Sequence, residues 1–358
     1  MATTELDGAR AEAFVGRTVQ ILNDAMLSLL LSIGHQTYLL DTMAGGGAFT
    51  SEELAAAAGL NERYVREWLA GLTVGGIVEH DADADRYTLP PEHAVCLTRA
   101  AGPDNLASFT QYTSLFGELE QQVVDCFRNG GGIPYSAMPR FQSLQAEESA
   151  QIQDGGLIDV TLPLVDGLVD RLRAGIDVID IGCGHGHAAN LIADAFPNSR
   201  ILGIDVSEDG IAAARAEADR LRLSNARFDV RDVRELEPGA YDVVTAFDVV
   251  HDLARPSETL AAVHAALRPG GVFLMVDIAA SSHVDGNLEH PLGPALYTVS
   301  IFHCMTVSLA NDGPGLGTMW GEQTALELLA AAGFGDVEIK RVEADFLNSY
   351  YIARKGQA

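Results

Sequence analysis

The chain has 358 residues, 47% of them hydrophobic, so it can bury a full core and is long enough for two domains. Its formal net charge of -27 is spread along the sequence, which disfavours polyanionic partners such as nucleic acid. The N-terminus lacks the basic segment and apolar core of a signal peptide, and the longest apolar run near it, residues 25–33, is too short to span a bilayer. Four cysteines without short paired spacing disfavour a zinc knuckle. We therefore expect a cytoplasmic protein without a membrane partner.

The first hundred residues have the pattern of a winged helix-turn-helix. Residues 14–40 are predicted to form a long helical region with an apolar stripe wide enough for a contact between subunits, so we expect a homodimer. A capping box at Thr50–Glu53 begins a helix at 54–58, and a turn at 59–61 leads to a second helix at 62–73. Strands at 77–79 and 86–89 are predicted to pair as the wing.

The charge of this module bears on whether it reads DNA. Residues 50–93 contain three basic and nine acidic side chains, so a reading helix and wing made from them would repel phosphate. A transcriptional regulator that senses a nucleotide-type ligand is therefore an alternative function, and we expect no nucleic-acid partner. A further helical region at 105–127 is expected to line a cleft.

An apolar strand predicted at 176–181 is followed by three alternating glycines, Gly182, Gly184 and Gly186, and by a helix at 188–196. The spacing from Gly184 to Ala189 also satisfies the dinucleotide pattern G-x-G-x-x-G/A, so a nicotinamide oxidoreductase is a second alternative. Asp180 just before the glycines would repel a pyrophosphate and suits an ammonium group. S-adenosylmethionine carries such an ammonium, so the sequence favours it as the ligand.

Further acidic residues follow the next strands. The strand at 201–205 ends in Asp205, which can accept bonds from ribose hydroxyls, and the strand at 227–231 is followed by Asp232, which is placed to pair with an adenine amino group. A fourth strand is predicted at 241–247 and a fifth at 272–277 after Leu-Arg-Pro-Gly-Gly. Segments 337–344 and 348–353 are predicted to form a terminal hairpin. The complete predicted cofactor set is Asp180, Gly182, Gly184, Gly186, Asp205, Val206, Asp232, Val233, Phe247 and Asp248.

These motifs arrive in the order and spacing of a known family. Residues from about 155 to 355 resemble a class I S-adenosylmethionine-dependent methyltransferase domain, and the whole chain resembles actinomycete-type, small-molecule methyltransferases with an N-terminal winged-helix domain. The resemblance implies an α/β fold with a Rossmann-like seven-stranded sheet, and S-adenosylhomocysteine as the product. It divides the chain into a winged-helix dimerisation and lid domain at 1–100, a helical linker at 101–154 and a methyltransferase domain at 155–358 with an insert at 279–321.

The resemblance also predicts the acceptor side of the site. The insert is expected to reach over the sheet, with an apolar wall and a polar handle formed by Phe302, His303, Met305, Met319 and Trp320. His251-Asp252 is placed like the His-Asp of plant-type O-methyltransferases, which implies that His251 is a general base and that Asp252 assists. The sequence lacks the Trp that follows this pair in that family, and His185, His187, His283 and His303 are competing candidates.

The expected reaction is an SN2 methyl transfer to an O, S or N atom of a small-molecule acceptor, which the motifs leave unidentified. The acids Asp248, Asp252 and Asp277 do not form an Asp-Asp-Asn arrangement, and the spacing of the His and acidic residues at 283–290 is loop-like. We therefore expect no metal.

Overall fold

A computed structural model describes residues 6–343 and 345–357, without the side chain of Pro139. Residues 1–5 of the predicted first domain, Ala344 of the predicted hairpin and the last residue, Ala358, lie outside the described residues. The chain divides into two compact units, the first ending at Glu118 and the second beginning at Leu119. This division falls within the region 101–154 that the sequence assigned to a linker.

The first unit is mainly helical and contains one small hairpin. Its elements are α1 (Gly8–Gln36), α2 (Leu39–Gly46), α3 (Ser51–Ala58), α4 (Glu62–Val74), β1 (Glu79–Asp81), β2 (Arg86–Thr88), α5 (Pro91–Ala94), α6 (Leu106–Phe109) and α7 (Gln111–Asn129), which continues into the second unit. Both hydrogen bonds of the predicted capping box form at the start of α3. The core of the unit is built from leucines of α2, α3 and α4, and the Trp68 indole donates to the Leu30 carbonyl at 2.8 Å.

Two predicted boundaries in this unit are wrong. The predicted helical region at 14–40 begins earlier, at Gly8, and is divided into α1 and α2 by Tyr38, which adopts a left-handed conformation with φ of 60°. The first wing strand begins at Glu79 instead of Ile77. The amides of Ile77 and Val78 donate to the Leu72 carbonyl and close the end of α4, so they do not take part in strand pairing.

The second unit alternates strands with helices. Its helices are α8 (Pro139–Gly156), α9 (Leu168–Ala174), α10 (His187–Ala195), α11 (Glu208–Leu221), α12 (Pro256–Ala266), α13 (Gly293–Val299), α14 (Met305–Ala310) and α15 (Gly321–Ala331). Its strands are β3 (Asp177–Ile181), β4 (Arg200–Asp205), β5 (Ala226–Val230), β6 (Tyr241–Phe247), β7 (Leu267–Ile278), β8 (Asp336–Val342) and β9 (Asp345–Arg354). Single helical turns lie at Tyr135–Ala137, Val233–Glu235 and Val250–Asp252, and π-helical turns at Leu157–Thr161 and Ser300–Cys304.

The strands form one seven-stranded sheet, as predicted, in the order β5-β4-β3-β6-β7-β9-β8. The first five strands are parallel, and β9 runs antiparallel to both β7 and β8. From β3 the chain adds β4 and β5 on one side of the sheet, and it then returns to add β6 and β7 on the other side of β3. In open α/β sheets, ligands bind beyond the carboxyl ends of the two strands at which the order reverses, here β3 and β6. The glycine loop follows β3, and the segment with His251 follows β6.

Strand β7 begins five residues earlier than predicted. Leu267 pairs with Tyr241, and a register shift follows before Val243 pairs with Val272, so Leu-Arg-Pro-Gly-Gly lies within the extended segment. Along β3, Val178 packs in one hydrophobic cluster while Ile179 and Ile181 pack in another, because alternate side chains of a strand point to opposite faces.

One helical stretch of the described residues, Gly293–Ala310, has the length and hydropathy of a membrane span, but 44% of it is buried within the protein. Core helices meet the same criteria. The stretch lies in the insert that the sequence predicted to cover the sheet.

Candidate active site

The three glycines after β3 have positive φ angles but different surroundings. A Cβ atom at Gly182 would lie 2.5 Å from a methyl of Val249, and one at Gly186 would lie 2.5 Å from the Ala214 methyl. A Cβ atom at Gly184 would meet nothing within 4 Å. Packing therefore requires glycine at the first and third positions, whereas Gly184 faces open space that a ligand can fill.

Asp205 ties the glycine loop to the end of β4. One carboxylate oxygen accepts from the Gly184 amide at 2.9 Å, and the other accepts from the Ser207 amide at 2.8 Å. A carboxylate has about four acceptor sites, so capacity for hydroxyl donors remains. Val206, the next predicted residue, is 75% exposed.

Asp180 is the most enclosed of the predicted cofactor residues. It is 2% exposed, and its Oδ1 accepts from the Thr245 hydroxyl at 2.7 Å. Burial raises the pKa of Asp180 to about 7, although the bond from Thr245 acts in the opposite direction. A ligand ammonium would favour the ionised form, which makes this carboxyl group suitable for an amino-acid moiety. Sequence reasoning missed Thr245, which lies opposite Asp180 on the neighbouring strand β6.

The remaining predicted cofactor residues line the ends of β5 and β6. Asp232 caps the turn that follows β5 and pairs with the Arg234 guanidinium at 2.7 Å, which lowers the pKa of this carboxyl group. Val233 packs against the hydrophobic cluster that contains Ile179, and Phe247 packs against the cluster on the opposite face of the sheet, which contains Val178. Asp248 has a φ of 59°, a strained conformation for a residue other than glycine, at the point where β6 ends.

His251 and Asp277 form a buried hydrogen-bonded pair. The His251 Nδ1 lies 2.8 Å from Asp277 Oδ1, and the Trp320 indole donates to the same oxygen at 3.0 Å. Burial lowers the pKa of His251, but the charges of Asp277, Cys304 and Asp248 and the bond to Asp277 outweigh it, so the net pKa is well above the usual value. Sequence reasoning found His251 but missed its partner, since β7 carries Asp277 26 residues further along the chain.

Asp252 faces a different side chain. Its Oδ2 lies 4.0 Å from the His303 Nε2. Burial raises the pKa of Asp252 to about 7, while His251 acts to lower it. The structure thus separates the predicted pair, with His251 bonded to Asp277 and Asp252 turned towards the insert.

The residues predicted to contact the acceptor differ in burial and in packing partners. His303 is buried and stacks on Phe141, with ring centroids 3.4 Å apart, whereas Phe302 and Met305 are partly exposed. Met319 packs in a small cluster with Ile278 and Leu296, and Trp320 is a core residue that orients Asp277. Sequence reasoning did not identify Phe141, which is 162 positions from His303.

Two of the competing histidines, His187 and His283, have other surroundings. His187 bridges Glu217 at 2.9 Å and Asp154 at 2.8 Å, a structural link between helices α8, α10 and α11, and His283 is exposed. A possible cation site does arise within the described residues, where one ligand atom each of Asp248, His251 and Asp277 lie within 4.8 Å of one another. A metal there would have to displace the hydrogen bond between His251 and Asp277, so a metal-free reaction stays our prediction.

Two family models match the chain. The Rv2258c-like winged HTH domain matches residues 25–99, and a methyltransferase domain matches residues 172–301. Among curated proteins, the trans-aconitate 2-methyltransferase of Deinococcus radiodurans is 34% identical over 111 residues, which are 31% of this chain and 41% of that protein. The chain spans 36–44% of the length of the first four curated relatives that it matches.

Solved structures share the fold over the whole chain. An O-methyltransferase family protein of Burkholderia thailandensis is 18% identical, with a TM-score of 0.69 over 96% of this chain and 98% of that one. Human N-acetylserotonin methyltransferase, solved with S-adenosylmethionine, is 17% identical, with a TM-score of 0.68 over all of both chains. The chain therefore contains a winged HTH domain and a methyltransferase domain, and it has the fold of the solved O-methyltransferases.

Proposed function

We propose that the protein transfers a methyl group from S-adenosylmethionine to a hydroxyl oxygen of a small molecule. The observation that carries this proposal is the buried pair of His251 and Asp277 beside the ligand crevice of the sheet. Hydroxyl acceptors need a base, whereas thiols and amines depend less on one. An imidazole held by a carboxylate is the arrangement that such a base requires, because the carboxylate fixes the ring and stabilises its protonated form.

The residues after β3 and β4 fit the amino-acid and ribose parts of this cofactor. Asp180 would pair with the ammonium, Asp205 would accept from the ribose hydroxyls, and the open side of Gly184 leaves room for the ligand backbone. Asp232 and Val233 would bind the adenine. When bound, the cofactor supplies a methyl group that the positive sulfonium already activates.

His251 performs the proton chemistry in this proposal. The neutral imidazole removes the proton of the acceptor hydroxyl, and Asp277 stabilises the imidazolium that results. Trp320 holds the Asp277 oxygen in place. Because nearby carboxylates raise the pKa of His251, the neutral form becomes more abundant at alkaline pH, and the reaction should speed up as the pH rises.

The electrostatics of the site favour a neutral or cationic acceptor. Five acidic side chains, Asp180, Asp205, Asp248, Asp252 and Asp277, belong to the proposed site, whereas the cation Arg234 is already paired with Asp232. A tricarboxylate such as trans-aconitate, named for the Deinococcus relative, would be repelled.

We also propose that a second copy of the chain covers helix α1. Val15, Val19, Leu22, Met26 and Ile33 follow each other at intervals of three, four and seven residues, and each is at least 47% exposed. Such a stripe is costly in water and has the spacing of a helix–helix contact. This surface supports the predicted homodimer; a cytoplasmic location stays a prediction from the cysteine content.

Parallel calorimetric titrations with S-adenosylmethionine, S-adenosylhomocysteine and NAD test the cofactor. Binding of the first two alone, followed by methyl transfer from labelled cofactor to a panel of phenols, is the expected result. The His251→Ala variant should bind the cofactor as the wild type does but lose turnover. Binding of NAD instead, or of none of the three, would contradict the proposal; in the second case a regulatory role for the winged helix would become the better explanation.

A further inference from the structure

The side chain of His303 has a buried nitrogen without a protein partner. His303 is 1% exposed, and within the described part of the chain its Nε2 makes no hydrogen bond. A buried polar atom without a partner costs about 1–3 kcal/mol, and native proteins rarely leave one unless water or a ligand completes the bond. The nitrogen therefore points to a missing polar group.

The other ring nitrogen of His303 indicates what kind of group is missing. The Nδ1 lies 3.4 Å from the sulfur of Met138, and a thioether can only accept a hydrogen bond. This contact assigns the ring proton to Nδ1 and leaves a lone pair on Nε2. Burial lowers the pKa of His303 to about 3, so the ring is neutral and Nε2 is an acceptor at physiological pH.

A second acceptor faces the same space. Asp252 Oδ2 lies 4.0 Å from His303 Nε2, which is too far for a direct hydrogen bond. A single atom placed 2.8 Å from both would subtend an angle of about 90°, so an amino group could donate one hydrogen to each acceptor and a hydroxyl could donate to either one. The gap thus suits one hydrogen-bond donor of a ligand.

The gap between His303 Nε2 and Asp252 Oδ2 lies close to the proposed base, His251, and to the ring of Phe141. The proposed base, His251, is the residue before Asp252. It also lies close to Cys304, the residue after His303. Burial raises the pKa of the Cys304 thiol, and the His251 imidazole acts to lower it. The π-helical turn Ser300–Cys304 presents both residues of the insert, and such turns are frequent at functional sites. Phe141 stacks on His303 from the other side.

We propose that His303, with Asp252, selects acceptors that carry a hydroxyl or amino donor on the ring position next to the methylated hydroxyl. The inference rests on the proposed methyltransferase function. The stacked rings favour a planar aromatic acceptor, and the two facing acceptor atoms reject a methoxy or carboxylate group in the same place, because neither can donate a hydrogen bond. His303 is thus a specificity-determining residue.

A set of matched phenols tests this proposal. Catechol and 2-aminophenol carry the neighbouring donor, 2-methoxyphenol carries only an acceptor, and salicylate carries a carboxylate. Dissociation constants are measured on the full-length protein saturated with S-adenosylhomocysteine, by ligand-observed NMR, and kcat/KM is measured with labelled S-adenosylmethionine. We expect the two donor compounds to bind at least five-fold more tightly than 2-methoxyphenol and to show the same order in kcat/KM.

Substitution of His303 provides the second arm. His303→Phe keeps the stacking on Phe141 but removes the acceptor nitrogen, so the preference for donors should fall to less than two-fold. His283→Phe makes the same change at an exposed position and should keep the preference. Asp252→Asn, which is nearly isosteric, also reduces the preference and serves if His303→Phe fails to fold.

The outcomes separate this inference from the proposed function. Equal affinity for all four phenols, or no binding of any of them, overturns the inference, and the first result would mean that the gap holds only a bridging water. A donor preference that survives in both His303→Phe and Asp252→Asn overturns it as well. Failure to bind S-adenosylhomocysteine contradicts the proposed function instead.

Discussion

The hydrogen bond between Asp277 and His251 offers the sharpest test of the mechanism. Asp277 is fully buried, and its Oδ1 accepts from His251, from the Trp320 indole and from the Ile278 amide at 2.8, 3.0 and 2.8 Å. In Asp277→Asn the amide oxygen can keep these three bonds, so the geometry should survive. The change removes the negative charge that stabilises the imidazolium.

The size of the effect follows from the bond that is weakened. A hydrogen bond to a charged group contributes about 1.5–3 kcal/mol, and 1.36 kcal/mol corresponds to about a tenfold change in rate. We therefore expect kcat to fall by about 10- to 150-fold for a hydroxyl acceptor, with the affinity for S-adenosylmethionine within two-fold of the wild type. The new amide NH2 replaces an oxygen that has no hydrogen-bond partner within the described residues, so stability should fall by about 1–3 kcal/mol.

The pH dependence gives an independent readout of the same variant. In the wild type, carboxylates raise the pKa of His251, so the neutral base appears, and kcat rises, at a higher pH than for an ordinary histidine. Without the Asp277 charge, burial lowers the pKa of His251, and the rise in kcat should move to lower pH. Asp285→Asn, at an exposed position, is the matched control, and assays with and without EDTA test the cation site. An unchanged kcat, or a rise that stays at the same pH, would refute the role of Asp277.

Three further predictions concern the cofactor loop and the dimer. Burial raises the pKa of Asp180 to about 7, and this carboxyl group must ionise to pair with an ammonium. Calorimetry should therefore show that S-adenosylmethionine binding weakens about tenfold per pH unit below pH 7. The Asp180→Asn variant should show no such trend. Gly184→Ala should weaken S-adenosylhomocysteine binding at least tenfold, with only the modest fall in melting temperature that a side chain at its positive φ causes. Gly186→Ala adds a clash inside the fold and should lower the melting temperature further; the opposite pattern would refute our assignment of the open glycine. Leu22→Glu with Met26→Glu on α1 should convert a dimer to a monomer in light scattering, and an unaffected mass would exclude this face.

The predicted cofactor half of the site rests on local sequence patterns, whereas the predicted acceptor half depends on distant parts of the chain. Asp180 and Asp205 lie near the ends of parallel strands and Asp232 follows the next strand, and the carboxyl ends of such strands meet at one edge. A local pattern of strand, turn and helix is therefore enough to place them. One strand boundary was predicted wrongly, the start of β7, where pairing with β6 extends the strand through a proline and two glycines.

The sequence alone predicted the fold class and the type of cofactor, because hydrophobic periodicity indicates the strands, and the glycines and acids near their ends carry the resemblance to the methyltransferase family. The tertiary structure alone decided which side chains meet on the acceptor side. His251 contacts Asp277, which is 26 residues away in the sequence, and Asp277 contacts Trp320, a further 43 residues along. His303 contacts Met138 at a sequence separation of 165. Such contacts depend on the packing of the insert against the sheet, and no local pattern encodes it.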